Sequence, residues 1–354
     1  MGYKSGRLFE VPIGSDGKVV VTRLGERVYM LMWNSAPDNR LTTSFCNAVH
    51  TALDILALKY PHGVVITTSG ISKFYSNGLD LEHANSNPTF TKDSLFALWK
   101  RLLTRLHGLC QKGRRDQCLG LALLAYLPSS VETDSMRSRR QWRCHKHVRG
   151  HCCQYEAGRQ GHPALPTSTP DRCNFENCID TSKLTYENSY PMPTIALING
   201  HGFAGALMTA MMHDYRIMNP HRGYICLNEV ELGVPLKAAM SSIFRQKTSP
   251  QTYRTLVLEG KRFKALEALE AGIIDGVGGL DEVVAFVDEL KLVEKTDKGV
   301  YGLLKREMWR ETVAFLDAPD EEVEYKEKVA KQDEELEKKA HQRVKDWEAV
   351  KAKL

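Results

Sequence analysis

The chain lacks the long apolar segments that membrane proteins and secreted precursors carry. No apolar run reaches the roughly 20 residues of a transmembrane helix, and the N-terminal residues MGYKSGRLFEVP contain no apolar signal-peptide region. The mean hydropathy of −0.35 is typical of a soluble globular protein. We therefore expect an intracellular protein without a membrane span.

Cysteine is scarce outside one segment of the chain. Seven of the nine cysteines fall between residues 105 and 189, and only Cys46 and Cys226 lie elsewhere, as is typical of an enzyme in a reducing compartment. The same segment holds thirteen Lys/Arg and eight Asp/Glu, which accounts for the whole net charge of +5. Because the remainder is balanced, the sequence predicts no nucleic-acid partner.

The stretch 193–236 carries the clearest local pattern. An apolar run without alternation, typical of a strand covered on both faces, is followed by three glycines and then by an apolar helix. Gly205 falls at the start of that helix, where the first amides have no partner inside the helix and favour negative charge. The predicted elements are a strand at 194–199, a turn at 200–205, a helix at 206–213, a strand at 214–218 and a polar turn that contains Asn228 and Glu229.

The rest of the chain alternates strand and helix patterns. Residues 8–33 predict an antiparallel meander, 42–60 a helix and 64–68 a strand, so that a βαβ unit precedes the loop around Gly78. Further helices are predicted at 94–106, 237–246, 250–259, 263–271, 280–293 and 300–315, with a short strand at 273–277.

Three pieces of sequence together resemble the enoyl-CoA hydratase/isomerase family, also called the crotonase superfamily. They are NGHGFAGALMTAMMHDYRI followed by LNEVELGVP, the loop FYSNGLD at 74–80, and the pattern Ala-x-x-Ala-x-x-x-Gly-Ile-Ile-Asp at 265–275. The resemblance covers residues 8–104 and 190–318. It implies an α/β fold with a crotonase-like ββα spiral core, formed by residues 1–104 and 190–277, and a C-terminal helical region at 278–354.

Residues 105–189 interrupt this resemblance and are predicted to be an insertion. One interpretation is a zinc module that uses the cysteines and histidines of 144–178, but no pair of Cys-x2-Cys spacings supports it. A second is a disordered surface loop. A third is translated intron in a gene model, since Leu103-Thr104 could join Tyr190-Pro191 without interrupting the family pattern. We favour the third.

The resemblance assigns an oxyanion hole to the backbone N–H groups of Leu79 and Gly205. Such amides stabilise the charge that develops on a thioester oxygen when the neighbouring carbon loses a proton. Substrate-binding positions implied by the same motifs are Ser76, Asn77, Gly78, Asp80 and Asn228. The acyl-CoA thioester is the implied substrate, and no metal and no cofactor beyond its CoA is implied.

The base is the residue that discriminates among family chemistries. Family hydratases place two glutamates around a water, and in this sequence Met208 stands at the first position while Glu229 stands at the second. One carboxylate can shuttle a proton but cannot orient water in the usual way, so the pattern favours an isomerase, with Glu229 moving a proton from C2 to C4 of a 3-enoyl-CoA. The flanking sequence looks most like the peroxisomal Δ3,Δ2-enoyl-CoA isomerases of fatty acid β-oxidation. Glu231 ranks second as the base.

Two alternatives stay open. A hydratase or thioester hydrolase would use another carboxylate, for which Asp80 and Glu82 are the candidates. A catalytically inactive acyl-CoA-binding protein would bind the ligand without turnover. The resemblance also implies a homotrimer or a dimer of trimers.

The C-terminal residues suggest a helix followed by a targeting signal. Residues 320–351 are dense in Glu and Lys with apolar residues at near-helical spacing, which predicts a solvated helix docked on its own domain or, as the alternative, a partner-binding helix. The last residues Ala352-Lys353-Leu354 resemble the tripeptide that the peroxisomal import receptor reads. We therefore expect a peroxisomal matrix protein.

Overall fold

The computed structural model describes residues 6–15, 17–103 and 192–351, except for the side chains of 320–323 and 349–351. The predicted insertion at 105–189 and the tripeptide at 352–354 lie outside the described residues. The described part contains one large sheet and one small sheet, with helices on their faces and at the C-terminal end.

The large sheet has seven strands in the order β1-β2-β3-β4-β6-β8-β10. The first three strands form the predicted antiparallel meander, and every later neighbour pairs in parallel. Strands β4 and β6 are buried along their whole length, as expected of parallel strands covered on both faces. The strands are β1 (Gly6–Ile13), β2 (Gly17–Gly25), β3 (Val28–Asn34), β4 (Val64–Ser69), β6 (Thr194–Ile198), β8 (Tyr215–Met218) and β10 (Gly276–Val277).

Helix α1 (Thr43–Lys59) forms because its sequence supplies both a cap and an apolar face. The Thr42 hydroxyl accepts a hydrogen bond from the Phe45 amide at 3.3 Å, which satisfies one of the unpaired amides of the first turn. Leu53 and Leu56 are fully buried on its inner face. Each side chain buried in this way contributes about 1.5–3 kcal/mol to the free energy of unfolding.

A second, three-stranded parallel sheet was not predicted. It contains β5 (Phe74–Ser76), β7 (His201–Phe203) and β9 (Ile225–Cys226) in that order. Strand β7 lies inside the stretch 200–205 that the sequence predicts as a turn, so that prediction is wrong in part. Segments of two or three residues show no periodicity, and only pairing between distant parts of the chain reveals them.

The helices largely follow their predicted positions. The pattern at 300–315 is corrected to two helices, because the chain breaks at Trp309, whose φ of −108° and ψ of 21° are not helical. The remaining helices are α2 (Leu81–Ser86), α3 (Phe96–Leu103, preceded by a π-helix at Thr91–Leu95), α4 (Gly205–Met211), α5 (Glu229–Leu232), α6 (Ala238–Lys247), α7 (Pro250–Leu258), α8 (Ala265–Glu270), α9 (Leu280–Glu289), α10 (Tyr301–Met308), α11 (Arg310–Asp317) and α12 (Pro319–Lys351).

Helix α12 departs from its prediction. The sequence predicts that its apolar side chains dock on their own domain, but Tyr325 and Leu336 are 67% and 58% exposed. The docked interpretation is therefore wrong for this helix, and its apolar face remains open to solvent.

Candidate active site

Three loops meet at one end of the small sheet. Because β5, β7 and β9 run parallel, the segments that follow their last residues leave the sheet at the same edge. These segments are 77–80, 204–205 and 227–229, and they contain Leu79, Gly205 and Glu229, the three residues to which the resemblance assigns catalytic roles. The carboxyl ends of parallel strands are a common location of ligand sites.

Gly78 shapes the first loop. Its φ of +85° belongs to the region that favours glycine, and a Cβ at this position would lie 2.6 Å from the Phe203 carbonyl oxygen. The Leu41 amide donates to the Gly78 oxygen at 2.8 Å, and the Asp80 amide donates to the Leu41 oxygen at 3.3 Å. Leu79 lies between these two bonds, so its own N–H faces away from Leu41.

The second loop presents the Gly205 amide. Ala204 has a φ of +50°, which is unusual for a residue with a side chain, and its amide donates to the Cys226 oxygen at 2.9 Å. A Cβ built on Gly205 would lie 3.4 Å from the Leu79 nitrogen, so the two amides are near neighbours. Within the described part of the chain, neither N–H has an acceptor. Strain at a single residue that exposes a free amide is typical of functional turns.

Hydrogen bonds from distant residues hold the first loop in position. The Ser76 hydroxyl donates to the Asn39 oxygen at 2.6 Å and accepts from the Gly78 amide at 3.1 Å. The Asn77 side chain donates to Asp38 at 2.7 Å. Asn39 is fully buried and donates from its side chain to the Ser69 hydroxyl at 2.7 Å. The polar groups of Ser76 and Asn77 are thus used inside the protein.

A buried network fixes helix α4, which carries Gly205 at its first position. The Thr209 hydroxyl donates to the Gly205 oxygen at 2.8 Å and accepts from the Trp99 ring N–H at 2.9 Å. His213 donates from Nδ1 to the Thr209 oxygen and lies 2.9 Å from the Thr67 hydroxyl through Nε2. Burial lowers the pKa of His213 to about 3, so the ring stays neutral in this network.

Glu229 is the carboxylate of the third loop. It opens the one-turn helix α5, it is only 8% exposed, and its buried Oε2 has no hydrogen-bond partner in the described part of the protein. Burial raises its pKa above the ordinary value, and its own backbone amide opposes that shift. The Oδ1 atom of the neighbouring Asn228 is likewise buried and unsatisfied among the described residues. Buried acceptors without donors are rare in native proteins, and a catalytic role is one of the reasons for which they occur.

Three of the five residues that follow Glu229 in the chain are apolar. Met208 on α4 is 1% exposed and supplies no second carboxylate at that position. Three apolar side chains next to Glu229 in the chain remain open to solvent, namely Val230, Leu232 and Val234, which are 42–52% exposed. Exposed apolar side chains beside a buried carboxylate are typical of a surface that interacts with an apolar partner or ligand.

The competing carboxylates have other partners. Asp80 caps helix α2, with its Oδ1 accepting from the His83 amide at 2.9 Å. Glu231 is 54% exposed in its side chain and lies 3.8 Å from Arg262. Glu82 is exposed at the start of α2. Among these carboxylates, only Glu229 combines burial with an unsatisfied oxygen.

Sequence reasoning missed the residues that support the site. Asn39 and Thr209 position the two amides, yet neither lies in a recognisable motif. The signal available for Asn39 was its place in the polar turn before α1, where Asn tolerates the observed φ of +55°. Thr209 gave no signal, because a hydroxyl inside an apolar helix acquires its role only from Trp99.

Two further properties of the described residues bear on the site. No group of three or more His, Cys, Asp or Glu side chains among them is arranged to hold a metal ion. None of the helices in this part of the chain is both long enough and apolar enough to span a membrane.

Comparison with known sequences gives partial but consistent matches. The family model for enoyl-CoA hydratase/isomerase matches residues 176–342. Enoyl-CoA delta isomerase 3 of Arabidopsis thaliana is 34% identical over 133 residues, which are 36% of this chain and 56% of that protein. Enoyl-CoA delta isomerase 2, peroxisomal, from the same plant is 33% identical over 132 residues, or 36% and 55% of the two chains. The chain thus spans about half the length of the curated relatives it matches.

Comparison with solved structures covers more of the chain and identifies the fold. Human mitochondrial delta3-delta2-enoyl-CoA isomerase superposes with a TM-score of 0.56 at 18% identity, over 87% of this chain and 89% of the human one. The probable enoyl-CoA hydratase EchA3 of Mycobacterium tuberculosis H37Rv gives 0.54 at 17% identity, over 88% and 98%. At such identities the likeness establishes a crotonase fold.

Proposed function

Because this chain belongs to the enoyl-CoA hydratase/isomerase superfamily, we propose that it is a Δ3,Δ2-enoyl-CoA isomerase of fatty acid β-oxidation. In this proposal it converts a 3-enoyl-CoA to the trans-2-enoyl-CoA. The observation that carries the proposal is Glu229, a buried carboxylate of the third loop whose Oε2 is unsatisfied among the described residues. The names of the plant relatives support the same reaction.

The reaction begins with proton removal from C2 of the bound thioester. Glu229 in its ionised form takes this proton, and the electron pair of the broken C–H bond delocalises through the C3=C4 double bond and the thioester carbonyl. The resulting dienolate carries its negative charge on the carbonyl oxygen. The amides of Leu79 and Gly205 donate to that oxygen, which lowers the barrier without any change in the protonation of these two amides.

The reaction ends with proton return at C4. Glu229, now protonated, delivers the same proton to C4, where the C3=C4 electron pair forms the new C–H bond. The C1=C2 pair of the dienolate moves to form the C2=C3 bond, an oxygen electron pair re-forms the thioester carbonyl, and the carboxylate is regenerated. Atoms and charge balance with no cofactor beyond the CoA of the substrate. Burial raises the pKa of Glu229 and thereby makes the carboxylate a stronger base than an exposed glutamate.

The identity of residue 208 favours isomerisation over hydration. Addition of water needs a second polar group that orients the water, and the buried thioether of Met208 supplies neither a charge nor a strong hydrogen bond. A site with one carboxylate and no oriented water can still move the proton that this carboxylate removes from C2 to C4 of the substrate.

The proposal is tested by the rate at which the purified chain converts 3-hexenoyl-CoA to 2-hexenoyl-CoA, compared with its Glu229→Gln variant. We expect turnover by the parent chain and a loss of about a thousandfold or more in kcat for the variant, which keeps the shape of the side chain but removes the base. The matched control is Glu231→Gln, two residues away, which should retain normal turnover. Near-normal turnover by Glu229→Gln, or water addition in place of isomerisation, would overturn the assignment.

Three further properties belong to this proposal. The partner in the site is a fatty acyl-CoA thioester, held near the segments that contain Ser76, Asn77, Gly78, Asp80 and Asn228. Two of the plant relatives are named peroxisomal, which supports a peroxisomal location and import by the peroxisomal receptor. A homotrimer or a dimer of trimers is the proposed assembly, for which light scattering of the purified chain is the direct test.

A further inference from the structure

Helix α12 exposes one continuous stripe of side chains. At 100° per residue, the stripe residues fall within a sector of about 100° of the helix circumference. They are Tyr325, Val329, Asp333, Leu336, Ala340, Arg343, Val344 and Trp347. Tyr325, Leu336, Val344 and Trp347 are 52–67% exposed, and Val329 and Ala340 are half-buried. Aligned apolar side chains with this exposure are typical of an interaction surface.

The two charges on the stripe are not used within the chain. Among the described residues, neither Asp333 nor Arg343 forms an ion pair, whereas Lys338 on the far face pairs with Glu334 at 2.7 Å. A charge on an apolar stripe weakens association unless it meets its opposite on the other surface. Asp333 and Arg343 therefore require a partner surface that presents a positive charge to Asp333 and a negative charge to Arg343.

Six of the eight stripe residues, all except Tyr325 and Val344, are arranged symmetrically about position 338. Leu336 and Ala340 lie two residues to either side of it, Asp333 and Arg343 five residues, and Val329 and Trp347 nine residues. A two-fold axis through this position would set each residue against its counterpart on a second, antiparallel copy. A large side chain would then face a small one, and a carboxylate would face a guanidinium.

The N-terminal and C-terminal halves of the helix also differ in net charge. Residues 324–337 contain six Asp/Glu and three Lys, whereas residues 338–348 contain four Lys/Arg and two Asp/Glu. An antiparallel pair sets the acidic half of each helix alongside the basic half of the other. A parallel pair would instead set acid against acid and Asp333 against Asp333 of the second copy, which is unfavourable.

We propose that α12 binds α12 of a second copy of this chain as an antiparallel two-fold helix pair. Leu336 of each copy packs against Ala340 of the other, and Asp333 of each pairs with Arg343 of the other. The segment 324–348 provides about three and a half heptads, or roughly 36 Å of helix, which is enough for several layers of contact. This contact is independent of the proposed catalytic function, and it doubles any assembly that the rest of the chain forms.

The first test is the molar mass of the full-length chain by size-exclusion chromatography with light scattering. Leu336→Glu should halve the mass because it sets two carboxylates in the centre of the contact. Lys338→Glu is the matched control, since it lies on the far face at the height of the two-fold axis, and it should leave the mass unchanged. Circular dichroism of both variants verifies that α12 stays helical. An unchanged mass for Leu336→Glu would overturn the proposal.

The second test examines the antiparallel register through charge reversal. Asp333→Arg alone and Arg343→Asp alone should each halve the mass, because each sets like charges together at both symmetric contacts. The two changes in one chain should restore the parent mass, because every pair is again of opposite sign. The two residues are ten positions apart and cannot compensate within one helix.

The outcomes of the second test separate the remaining arrangements. Single reversals that leave the mass unchanged would contradict the antiparallel pair and indicate a parallel one. Single reversals that lower the mass without recovery in the double variant would indicate that α12 docks on another surface of the second copy. Either result overturns the proposed pairing.

Discussion

Two carboxylates of this protein, each with less than a tenth of its surface exposed, lie in opposite kinds of surroundings. Asp214 accepts hydrogen bonds at one oxygen from the Thr194 amide, the Thr194 hydroxyl and Lys305 Nζ, at 2.7–3.0 Å. Glu229 is comparably buried, yet its Oε2 has no partner within the described residues. Burial of a charge is costly unless the charge is paired, so the protein retains Glu229 for a reason other than stability. The comparison separates a carboxylate that is hydrogen-bonded within the fold from one whose Oε2 has no partner among the described residues.

The largest expected effect is on catalysis at the unpaired carboxylate. Glu229→Gln should lower kcat by about a thousandfold or more and leave the free energy of unfolding unchanged or higher. Burial raises the pKa of Glu229, so the native state binds the proton more tightly than the unfolded chain, and stability decreases as pH rises through the interval between the ordinary and the raised pKa. Turnover of the parent chain and of Glu229→Gln tests the effect on kcat, and urea unfolding of both proteins at pH 7 tests the effect on stability. A large loss of stability in the variant would contradict the difference between Glu229 and Asp214.

The second effect is on stability at the paired carboxylate. Lys305→Met removes the cation from Asp214 in a site where the two side chains are 3% and 9% exposed, and it should cost about 3–5 kcal/mol of unfolding free energy. Lys338→Met, on the exposed surface of α12, is the control and should cost less than about 1 kcal/mol. Urea titrations of the three proteins give the result. Comparable losses in both variants would contradict the role assigned to the Asp214 cluster.

The third effect is on catalysis at the amides of Leu79 and Gly205, which have no acceptor among the described residues. Gly205→Ala places a methyl group 3.0 Å from the Leu79 Cγ and 3.4 Å from the Leu79 nitrogen, where the oxyanion is expected. We expect a loss of about a hundredfold in kcat, the size found when one oxyanion donor is lost. Gly25→Ala, whose Cβ would meet its nearest atom at 3.9 Å, is the matched control and should retain turnover. Full activity of Gly205→Ala would exclude this amide from the site.

The smallest effect concerns the buried histidine that supports α4. Because burial lowers the pKa of His213 to about 3, the unfolded chain binds a proton that the native state does not bind between about pH 6.5 and pH 3. His213 therefore makes stability fall as pH falls below about 6.5, by up to about 1.4 kcal/mol per pH unit. The slope between pH 7 and pH 5 should be shallower in His213→Gln, whereas the exposed His221→Gln should keep the parent slope.

Much of the fold follows from local patterns. The cap at Thr42 and the apolar face of α1 appear directly in the sequence, and so do the unbroken apolar runs of β4 and β6. The small sheet does not, because its two- and three-residue strands have no period. The prediction that the apolar face of α12 docks on its own domain was also wrong. Near-helical spacing predicts that a helix has an apolar face, but it does not predict which surface covers that face.

The sequence by itself determined the chemistry that the site can contain. The glycines at 78 and 205, the carboxylate at 229 and the thioether at 208 are fixed by residue identity, and together they indicate the family before any coordinates. Only the tertiary structure decided how these groups are used. The burial of Glu229 and the positive φ of Ala204 are properties of the folded chain. The approach of the Gly205 and Leu79 amides joins segments more than a hundred residues apart, which no local pattern encodes.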